Sequence, residues 1–330
     1  KGEIQAGDLP GEPVQPGEVV RIFTGAQVPH GADTVIMQEH AELSEQKVWL
    51  YPNGTKEGAN IRKVGDQIKT GDLALSKEST LTAGAIGFLA SMGINLAPVY
   101  RNPVIGILVT GNEIIPPGEA IQEGKVYECN SYSLKTALRS IDVTDVKTAN
   151  AGDNYQEIAS KLSESLNEVD ILLVTGGISV GKHDLVKTAF EGLEIKEQFY
   201  KVAQKPGKPL YAGKSPEGKW VFGLPGNPGA VLSCFYEYVY TVIQKQKGFQ
   251  EHFLPTENRQ LQKPFRKKPG KSYFLKGRLN GEKGVTPLDG QESFMLKAFA
   301  RADCLIYIPA EQDELQFNEW VEVHKIPGKC

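Results

Sequence analysis

The sequence predicts a multidomain protein in which a central doubly wound α/β domain lies between two small β domains. Strands alternate with helices at regular spacing between residues 103 and 248, as in doubly wound sheets. Short β-type segments interrupted by glycine and proline precede this region, and a β pattern returns after Phe249. The chain has 330 residues, of which 40% are hydrophobic, so it is long enough to form two or three cores.

In the N-terminal region, up to about residue 73, four short segments have the composition of strands. They are Val19–Phe23, Thr34–Gln38, Lys47–Tyr51 and Asn60–Val64, and they predict a small barrel or sandwich. The segment Thr80–Met92 predicts a helix, because a threonine suited to capping precedes a run of small apolar residues.

The central region begins with Val104–Val109, a continuous apolar run typical of a parallel strand that is covered on both faces. Further strands are predicted at Val143–Ala149, Ile171–Val174 and Trp220–Gly223, and helices at Asn130–Ile141, Tyr155–Asn167, His183–Phe190 and Asn227–Lys245. In the C-terminal region, strands are predicted at Tyr273–Leu279, Gly284–Pro287, Cys304–Ile308 and Glu319–His324.

The composition excludes several classes of partner. The net charge is −3 with acidic and basic residues interspersed, so neither nucleic acid nor a membrane surface is expected as a partner. The four cysteines are widely spaced and form no CxxC pair, which predicts a reducing, cytoplasmic setting without a zinc site. No apolar run approaches the roughly 18 residues that span a bilayer. The sequence begins at Lys1 without a signal peptide or initiator methionine, so we expect a preceding segment outside it.

The loop after the third central strand has the composition of a ligand-binding loop. Gly176 and Gly177 allow backbone N–H groups to approach an anion without a Cβ in the way, and Asp184 places a carboxylate nearby. Ser179 lies in the same loop, but its surroundings are not G-x-S-x-G, which argues against a hydrolase triad.

Three carboxylates follow three successive central strands. They belong to Glu113, Asp153 and Asp184, and ligands of open α/β sheets bind beyond the carboxyl ends of the strands. For Asp153 alone, an ordinary helix cap is the favoured interpretation. Glu113 and Asp184 are embedded in glycine turns, so we expect them to hold a magnesium ion together with substrate phosphates.

Two further segments suit an anion. Lys201, Lys205 and Lys208 lie in a proline-containing turn that would direct their ammonium groups at an oxyanion such as phosphate or molybdate, although a solvated charge run has the same composition. The segment Gly223–Pro228 precedes a helix, where free N–H groups bind anions, but it also fits a plain strand-to-helix turn. In the N-terminal region, Arg21–Ala26 is not diagnostic alone.

Together these motifs resemble the molybdopterin molybdenumtransferase family, the MoeA type that includes the gephyrin E domain. The matching segments occur in family order over nearly the whole chain: Arg21–Ala26, Gly31–Glu39, Asn60–Gly65, Thr110–Pro117, Asn130–Tyr132, Thr175–Asp184, Lys205–Pro209 and Gly223–Pro228.

The resemblance implies four parts. These are a small β domain at about 1–65, the returning part of an elongated linker domain at about 66–102, an α/β molybdopterin-binding domain at about 103–248 and a C-terminal β-barrel at about 249–330. It also implies a homodimer whose cleft combines both subunits, and a molybdopterin adenylyltransferase as the upstream partner. The implied reaction takes adenylyl-molybdopterin and molybdate, inserts molybdenum into the dithiolene and releases AMP, with Mg²⁺ as the cofactor.

The resemblance also assigns roles to residues. Glu113, Asp153 and Asp184 would be cleft carboxylates, with Asp184 and Glu113 at the metal, and Lys201 and Lys205 would neutralise anionic charge. The substrate-binding residues would be Thr24 and Arg62 of the partner subunit, together with Gly176, Gly177, Ser179, Lys208, Pro225, Asn227 and Ser293.

Several positions depart from the family pattern. The family's N-terminal Ser-Ala-Met-Asp-Gly-Tyr-Ala motif is absent, so from the resemblance we expect the sequence to be N-terminally incomplete relative to the family. Asn112 and Gln67 stand where the family commonly has aspartate. Lys271 and Lys276 stand where it often has arginine, which keeps the charge but loses the bidentate grip on an oxyanion.

Two alternatives remain open from the sequence. A molybdopterin adenylyltransferase-like enzyme would use the same α/β domain, but that family is usually a single domain with a third glycine in place of Ser179. A non-catalytic dimeric scaffold of the gephyrin E-domain type would keep the fold for partner binding. The retained carboxylates and lysines argue against a pure scaffold.

Overall fold

The computed structural model describes residues 1–45, 47–51, 53–178 and 184–328. The chain forms two compact units, Lys1–Ser79 and Thr80–Cys330. Among the described residues, no helix combines the length and the apolar character needed to cross a membrane.

The N-terminal unit consists mainly of turns and has little regular structure. Strand β1 (Glu3–Ile4) pairs in parallel with β2 (Arg21–Ile22), and β3 (Ala41–Ser44) forms a hairpin with β4 (Lys47–Leu50). A short 3-10 helix at Gln38–His40 precedes β3.

Two of the strands predicted in this unit are absent from its described residues. Thr34–Gln38 and Asn60–Val64 are irregular. Asn60 has a φ of 60° and donates from Nδ2 to the carbonyl of Val35 at 2.8 Å, and the carboxylate of Asp66 accepts from the backbone N–H of Lys63 at 2.7 Å. Side chains that bond to backbone groups compete with strand pairing. Here Asp66 closes a local turn with Lys63, and Asn60 bonds to a segment 25 residues away in sequence.

The second unit opens with helix α1 (Ala83–Ser91), whose cap agrees with the sequence. The hydroxyl of Thr82 accepts from the N–H of Ala85 at 3.2 Å. All nine residues of α1 lie in the described part of the chain, and none of them is buried.

The central domain is a six-stranded mixed sheet with helices on both faces. Its strands are β5 (Ile105–Thr110), β8 (Val146–Ala151), β9 (Ile171–Thr175), β10 (Lys196–Tyr200), β12 (Tyr211–Lys214) and β13 (Trp220–Leu224). The spatial order is β10-β12-β13-β9-β5-β8. The four strands from β13 to β8 are parallel, as predicted, whereas β12 and β10 extend the sheet in antiparallel fashion.

Helices cover this sheet and bury two apolar cores. They are α2 (Asn130–Arg139), α3 (Tyr155–Glu168), α4 (Leu185–Gly192), α5 (Pro228–Cys234) and α6 (Tyr240–Gln246). Helix α3 illustrates the pattern, since Ile158, Leu162 and Leu166 recur every four residues and form its buried stripe. Five residues in π-helical conformation, Phe235–Val239, connect α5 to α6. The predicted helix Asn227–Lys245 is therefore present but interrupted.

The C-terminal region closes into a five-stranded barrel. Its strands are β14 (Thr256–Leu261), β16 (Ser272–Asn280), β17 (Gly284–Pro287), β18 (Cys304–Ile308) and β20 (Trp320–Lys325), in the closed order β16-β17-β14-β20-β18. The remaining elements are β6 (Ile114–Ile115), β7 (Val126–Tyr127), β11 (Gln204–Lys205), β15 (Phe265–Arg266), α7 (Leu296–Phe299) and β19 (Glu314–Leu315). Strand β11 pairs in parallel with β16, so the lysine-rich segment of the central domain also belongs to the C-terminal sheet.

A half-buried histidine joins the barrel to the π-helical residues. Nδ1 of His324 lies 2.8 Å from Oε2 of Glu237, and Nε2 lies 2.9 Å from Oε1 of Glu322. Burial alone lowers the pKa of His324, but the hydrogen bonds and charges of Glu237 and Glu322 outweigh burial and raise the pKa above its ordinary value. His324 is therefore a charged link between the two domains below that pKa.

Candidate active site at the carboxyl ends of the central strands

The candidate site lies where the sheet changes its winding direction. From β5 the chain passes to β8 on one side, and then crosses to β9 on the other side. Val109 of β5 and Leu224 of β13 both pair with Thr175 of β9, so these three strands end at the same level. Ligands of such sheets bind in the crevice at this point.

The glycine turn after β9 needs its glycines. Gly176 has a φ of 87°, and a Cβ there would lie 2.5 Å from the backbone oxygen of Thr110. Gly177 has a φ of 64°, and its Cβ would lie 2.4 Å from Cγ2 of Val186. Gly226 in the turn after β13 approaches Gly176, since a Cβ built on Gly226 would lie 3.8 Å from the Gly176 Cα. The two glycine turns are therefore neighbours. Ser179 lies outside the described residues.

Asp153 joins the loops that follow β5 and β8. Its Oδ2 accepts from the N–H of Asn112 at 3.1 Å, and its own N–H donates to Oδ1 of Asn112 at 3.1 Å. The N-cap of α3 is Asn154, whose Oδ1 accepts from the N–H of Glu157. The cap interpretation of Asp153 was therefore wrong by one residue, because this carboxylate turns towards the β5 loop instead of the helix.

The carboxylate of Glu113 folds back over Gly111. A Cβ on Gly111 would lie 2.6 Å from Oε2 of Glu113, and Gly111 has a φ of 138°. Glu113 is exposed, and no hydrogen bond or ion pair engages its carboxylate within the described part of the chain. This carboxylate is available to a ligand.

Asp184 caps a helix in addition to its predicted role. Its Oδ1 accepts from the N–H of Lys187 at 2.9 Å, which makes it the N-cap of α4, and its Oδ2 lies 3.4 Å from the hydroxyl of Tyr200. Burial and the nearby charge of Asp184 raise the pKa of Tyr200. Within the described residues, no group of three or more acidic, histidine or cysteine side chains has the geometry of a metal site.

The lysines of the predicted anion site rest on aromatic rings. Nζ of Lys201 lies 4.6 Å from the ring centre of Tyr200, and Nζ of Lys205 lies 5.3 Å from that of Tyr273. Such cation–π contacts hold the ammonium groups without neutralising their charge. Lys208 is also exposed, and its carbonyl accepts from the N–H of Val202 at 3.0 Å.

Ser293 of the C-terminal domain contacts the glycine turn after β13. Nδ2 of Asn227 donates to its hydroxyl at 3.0 Å, and the N–H of Ala230 donates to its carbonyl at 3.1 Å. The structure thus brings together Asn227 and Ser293, which are 66 residues apart. Pro225, in the same turn, is buried.

Lys276 does not face an oxyanion, contrary to the expectation from its position. Its side chain is fully buried, and Nζ donates to the carbonyls of Gly290 at 2.8 Å and Glu292 at 3.0 Å. Burial lowers its pKa to about 8. Lys276 therefore holds the loop that leads to Ser293. The other lysine at a position where the family often has arginine, Lys271, is exposed.

Sequence reasoning missed several polar residues at the site. Nδ2 of Asn130 at the start of α2 donates to the carbonyl of Gly226 at 3.0 Å. The buried hydroxyl of Thr175 has no hydrogen-bond partner among the described residues. In the sequence, only the Asn-Ser-Tyr segment of Asn130 and the Thr-Gly-Gly segment of Thr175 indicated that these residues belong to the site. Thr24 and Arg62 are exposed residues of the Lys1–Ser79 unit.

Three family profiles match the chain in order. The profile of the MoeA N-terminal region (domain I and II) matches residues 1–93, the "Probable molybdopterin binding domain" matches residues 106–245, and the MoeA C-terminal region (domain IV) matches residues 258–326. The fold and the site therefore define a protein of the molybdopterin-binding class.

Relatives narrow the class to one family. The chain is 32% identical to the molybdopterin molybdenumtransferase of Haemophilus influenzae over 309 residues. This alignment covers 92% of this chain and 76% of the relative. Two crystal structures of the molybdopterin biosynthesis MoeA protein from Pyrococcus horikoshii superpose on this chain. The first has a TM-score of 0.84 at 28% identity and covers 99% of this chain and 81% of its own. The second has a TM-score of 0.78 at 26% identity and covers 98% of this chain and 79% of its own. The chain belongs to the molybdopterin molybdenumtransferase family.

Proposed function

We propose that this chain inserts molybdenum from molybdate into adenylyl-molybdopterin and releases AMP, as a step of molybdenum cofactor biosynthesis. The observation that carries the proposal is that the loops after the central strands contact one another at the carboxyl ends of the strands. The Asn112–Asp153 pair joins the loops after β5 and β8, and Gly176 packs on the end of β5. Glu113 and Asp184 follow two of these strands, so both carboxylates belong to loops at the carboxyl ends of the strands, where ligands of such sheets bind.

The reaction breaks the phosphoanhydride bond between the AMP phosphorus and the molybdopterin phosphate. A water or molybdate oxygen attacks phosphorus, the P–O bond breaks, and the charge that develops on the leaving oxygen has to be stabilised. Lys201 and Lys205 would offset this negative charge with their positive ammonium groups, which are exposed and rest on tyrosine rings. Lys208 lies in the same turn. The amides of Gly176 and Gly177 complete the anion site.

Glu113 and Asp184 are the residues proposed to hold a magnesium ion. The carboxylate oxygens of Glu113 and Asp184 are donors of the type that magnesium prefers, and substrate phosphates would supply the other ligands. When bound, magnesium would add positive charge at the anhydride. Asp153 keeps a positioning role through Asn112.

Further residues are proposed to bind substrate. Asn227 and Ser293 would present an amide and a hydroxyl at the start of α5, and the buried Pro225 lies in the same turn as Asn227. Ser179 would contribute from the loop after Gly177. The remaining proposed binding residues, in the Lys1–Ser79 unit, are Thr24 and Arg62. The four-part division at about 65, 102 and 248 likewise stays a proposal.

A homodimer is proposed from the apolar surface of α1. Ile86 of this helix is 56% exposed, and Ile94 and Val99 beyond it are 41% and 66% exposed. These apolar residues are close together in sequence, and exposed apolar surface is typical of interaction sites, so a second copy would remove them from water. The adenylylated substrate requires an upstream enzyme that transfers AMP to molybdopterin, so a molybdopterin adenylyltransferase in the cytoplasm is the proposed partner.

The test is AMP release by the full chain with adenylyl-molybdopterin, molybdate and Mg²⁺. We expect release by wild type and its loss in Glu113→Gln and in Asp184→Asn. Asparagine is chosen at position 184 because it can still cap α4. The melting temperature of each variant serves as the control for folding. If folded wild type releases no AMP, the proposed enzymatic activity is contradicted, and a non-catalytic binding scaffold becomes the favoured function.

A further inference from the structure

The turn that carries two of the proposed anion-binding lysines has a buried base. Lys205 and Lys208 are exposed, whereas Gln204, Pro206 and Gly207 between and beside them are buried. The lysine side chains therefore project from one side of the turn, and the opposite side is packed against the protein. What holds the buried side determines where the lysines point.

A buried glutamine and a tyrosine hold that side. Gln204 is 3% exposed, its Nε2 donates to the carbonyl of Pro206 at 3.0 Å, and its Oε1 accepts from the hydroxyl of Tyr238. Gly207 has a φ of 91°, and a Cβ there would lie 2.4 Å from Sγ of Cys234 and 2.9 Å from Nε2 of Gln204. The turn has no space in which to shift towards its base.

The same turn is fixed at its edge by the barrel. In β11, Lys205 is in register with Tyr273 of β16, and its ammonium group lies over the Tyr273 ring. Tyr238 belongs to the π-helical residues, so its hydroxyl reaches the turn from the central domain. Burial raises the pKa of Tyr238, and its hydroxyl therefore stays protonated and able to donate at neutral pH.

We propose that Gln204 and Tyr238 are positioning residues that hold the Lys205–Lys208 turn so that both lysines face the anionic group of the substrate. The inference rests on the proposed function, because it assumes that these lysines bind the pyrophosphate part of the substrate. Neither residue touches substrate. Gln204 acts through the carbonyl of Pro206, to which it donates, and Tyr238 acts through Gln204, because its hydroxyl donates to Oε1 and so fixes the orientation of the amide.

The experiment uses Gln204→Met and Tyr238→Phe, with Tyr240→Phe as the matched control. Tyr240 follows the π-helical residues and packs in the core of the central sheet, so its hydroxyl is removed from the same helix without touching the turn. Three quantities are measured in the full chain: amide hydrogen exchange of residues 201–210, binding of inorganic pyrophosphate by calorimetry, and kcat and KM of AMP release.

We expect both variants to speed exchange in this segment and to weaken pyrophosphate binding about tenfold, as the loss of one hydrogen bond predicts. KM should rise by a similar factor, and the double variant should be no worse than the single ones, since both act through one contact. The control should leave all three quantities unchanged.

Three results would overturn the inference in distinguishable ways. If both variants bind pyrophosphate like wild type while Lys205→Met binds it less tightly, the lysine site stands and the positioning role fails. If wild type itself binds no pyrophosphate, the lysine assignment of the proposed function fails, and the positioning role fails with it. If the amides of residues 201–210 exchange at the wild-type rate in both variants, Gln204 and Tyr238 do not hold the turn.

Discussion

Gly176→Ala is expected to destabilise the Thr80–Cys330 unit, because the turn after β9 has no room for a side chain. Gly176 has a φ of 87°, which costs an alanine about 1–2 kcal/mol. The added Cβ would lie 2.5 Å from the backbone oxygen of Thr110, and relief of that contact requires a shift of the end of β5. Overpacking of this kind costs about 1–3 kcal/mol, so we expect a loss of about 2–5 kcal/mol in the free energy of unfolding.

Urea denaturation followed by tryptophan fluorescence measures this loss. Trp220 begins β13 beside β9, and the exposed Trp49 and Trp320 can be replaced by phenylalanine in all proteins compared. The matched control is Gly226→Ala, whose Cβ would meet its nearest neighbour at 3.8 Å and needs no positive φ. The control should stay within about 0.5 kcal/mol of wild type. If Gly176→Ala also does so, the close packing of Gly176 against the end of β5 is refuted.

Two further predictions concern the His324 link between the barrel and the π-helical residues, and the contact between the loops after β5 and β8. Because the folded-state pKa of His324 is raised, its contribution to stability should be complete below about pH 6.5 and decline as pH rises through the folded-state pKa. His324→Gln should therefore cost about 3 kcal/mol at pH 6 and less at pH 9 in urea titrations, and a pH-independent difference would contradict the charged link. Asn112→Ala should cost about 1 kcal/mol and lower AMP release, because it removes the oxygen that accepts from the N–H of Asp153. Asn112→Asp keeps an acceptor oxygen, and it should retain both properties; equal losses in the two variants would contradict this role.

The strongly patterned elements of the fold were predictable from the sequence. The strands Gly284–Pro287 and Cys304–Ile308 have the predicted bounds, and the apolar run of β5 is a parallel strand buried on both faces. Strands Lys196–Tyr200 and Tyr211–Lys214 were missed, since neither is a continuous apolar run. They lie on the antiparallel side of the sheet, where pairing with a neighbour rather than composition specifies the strand.

The candidate site was predictable in its residue types but not in their individual contacts. Asp153 and Asp184 both follow strands, and only the fold shows that Asp184 caps a helix while Asp153 binds Asn112. A lysine in sequence is expected at the surface, so the burial of Lys276 could not be foreseen. Tyr238 reaches the lysine turn from a π-helical position that no periodic pattern predicts.

The most direct test of the central claim compares AMP release with molybdenum incorporation by the full chain. Adenylyl-molybdopterin and Mg²⁺ are supplied with and without molybdate, AMP is measured by chromatography, and molybdenum in the pterin product by mass spectrometry. We expect about one molybdenum incorporated per AMP released, with both lost in Asp184→Asn. AMP release without molybdenum incorporation, or neither from a folded wild type, would contradict the central claim.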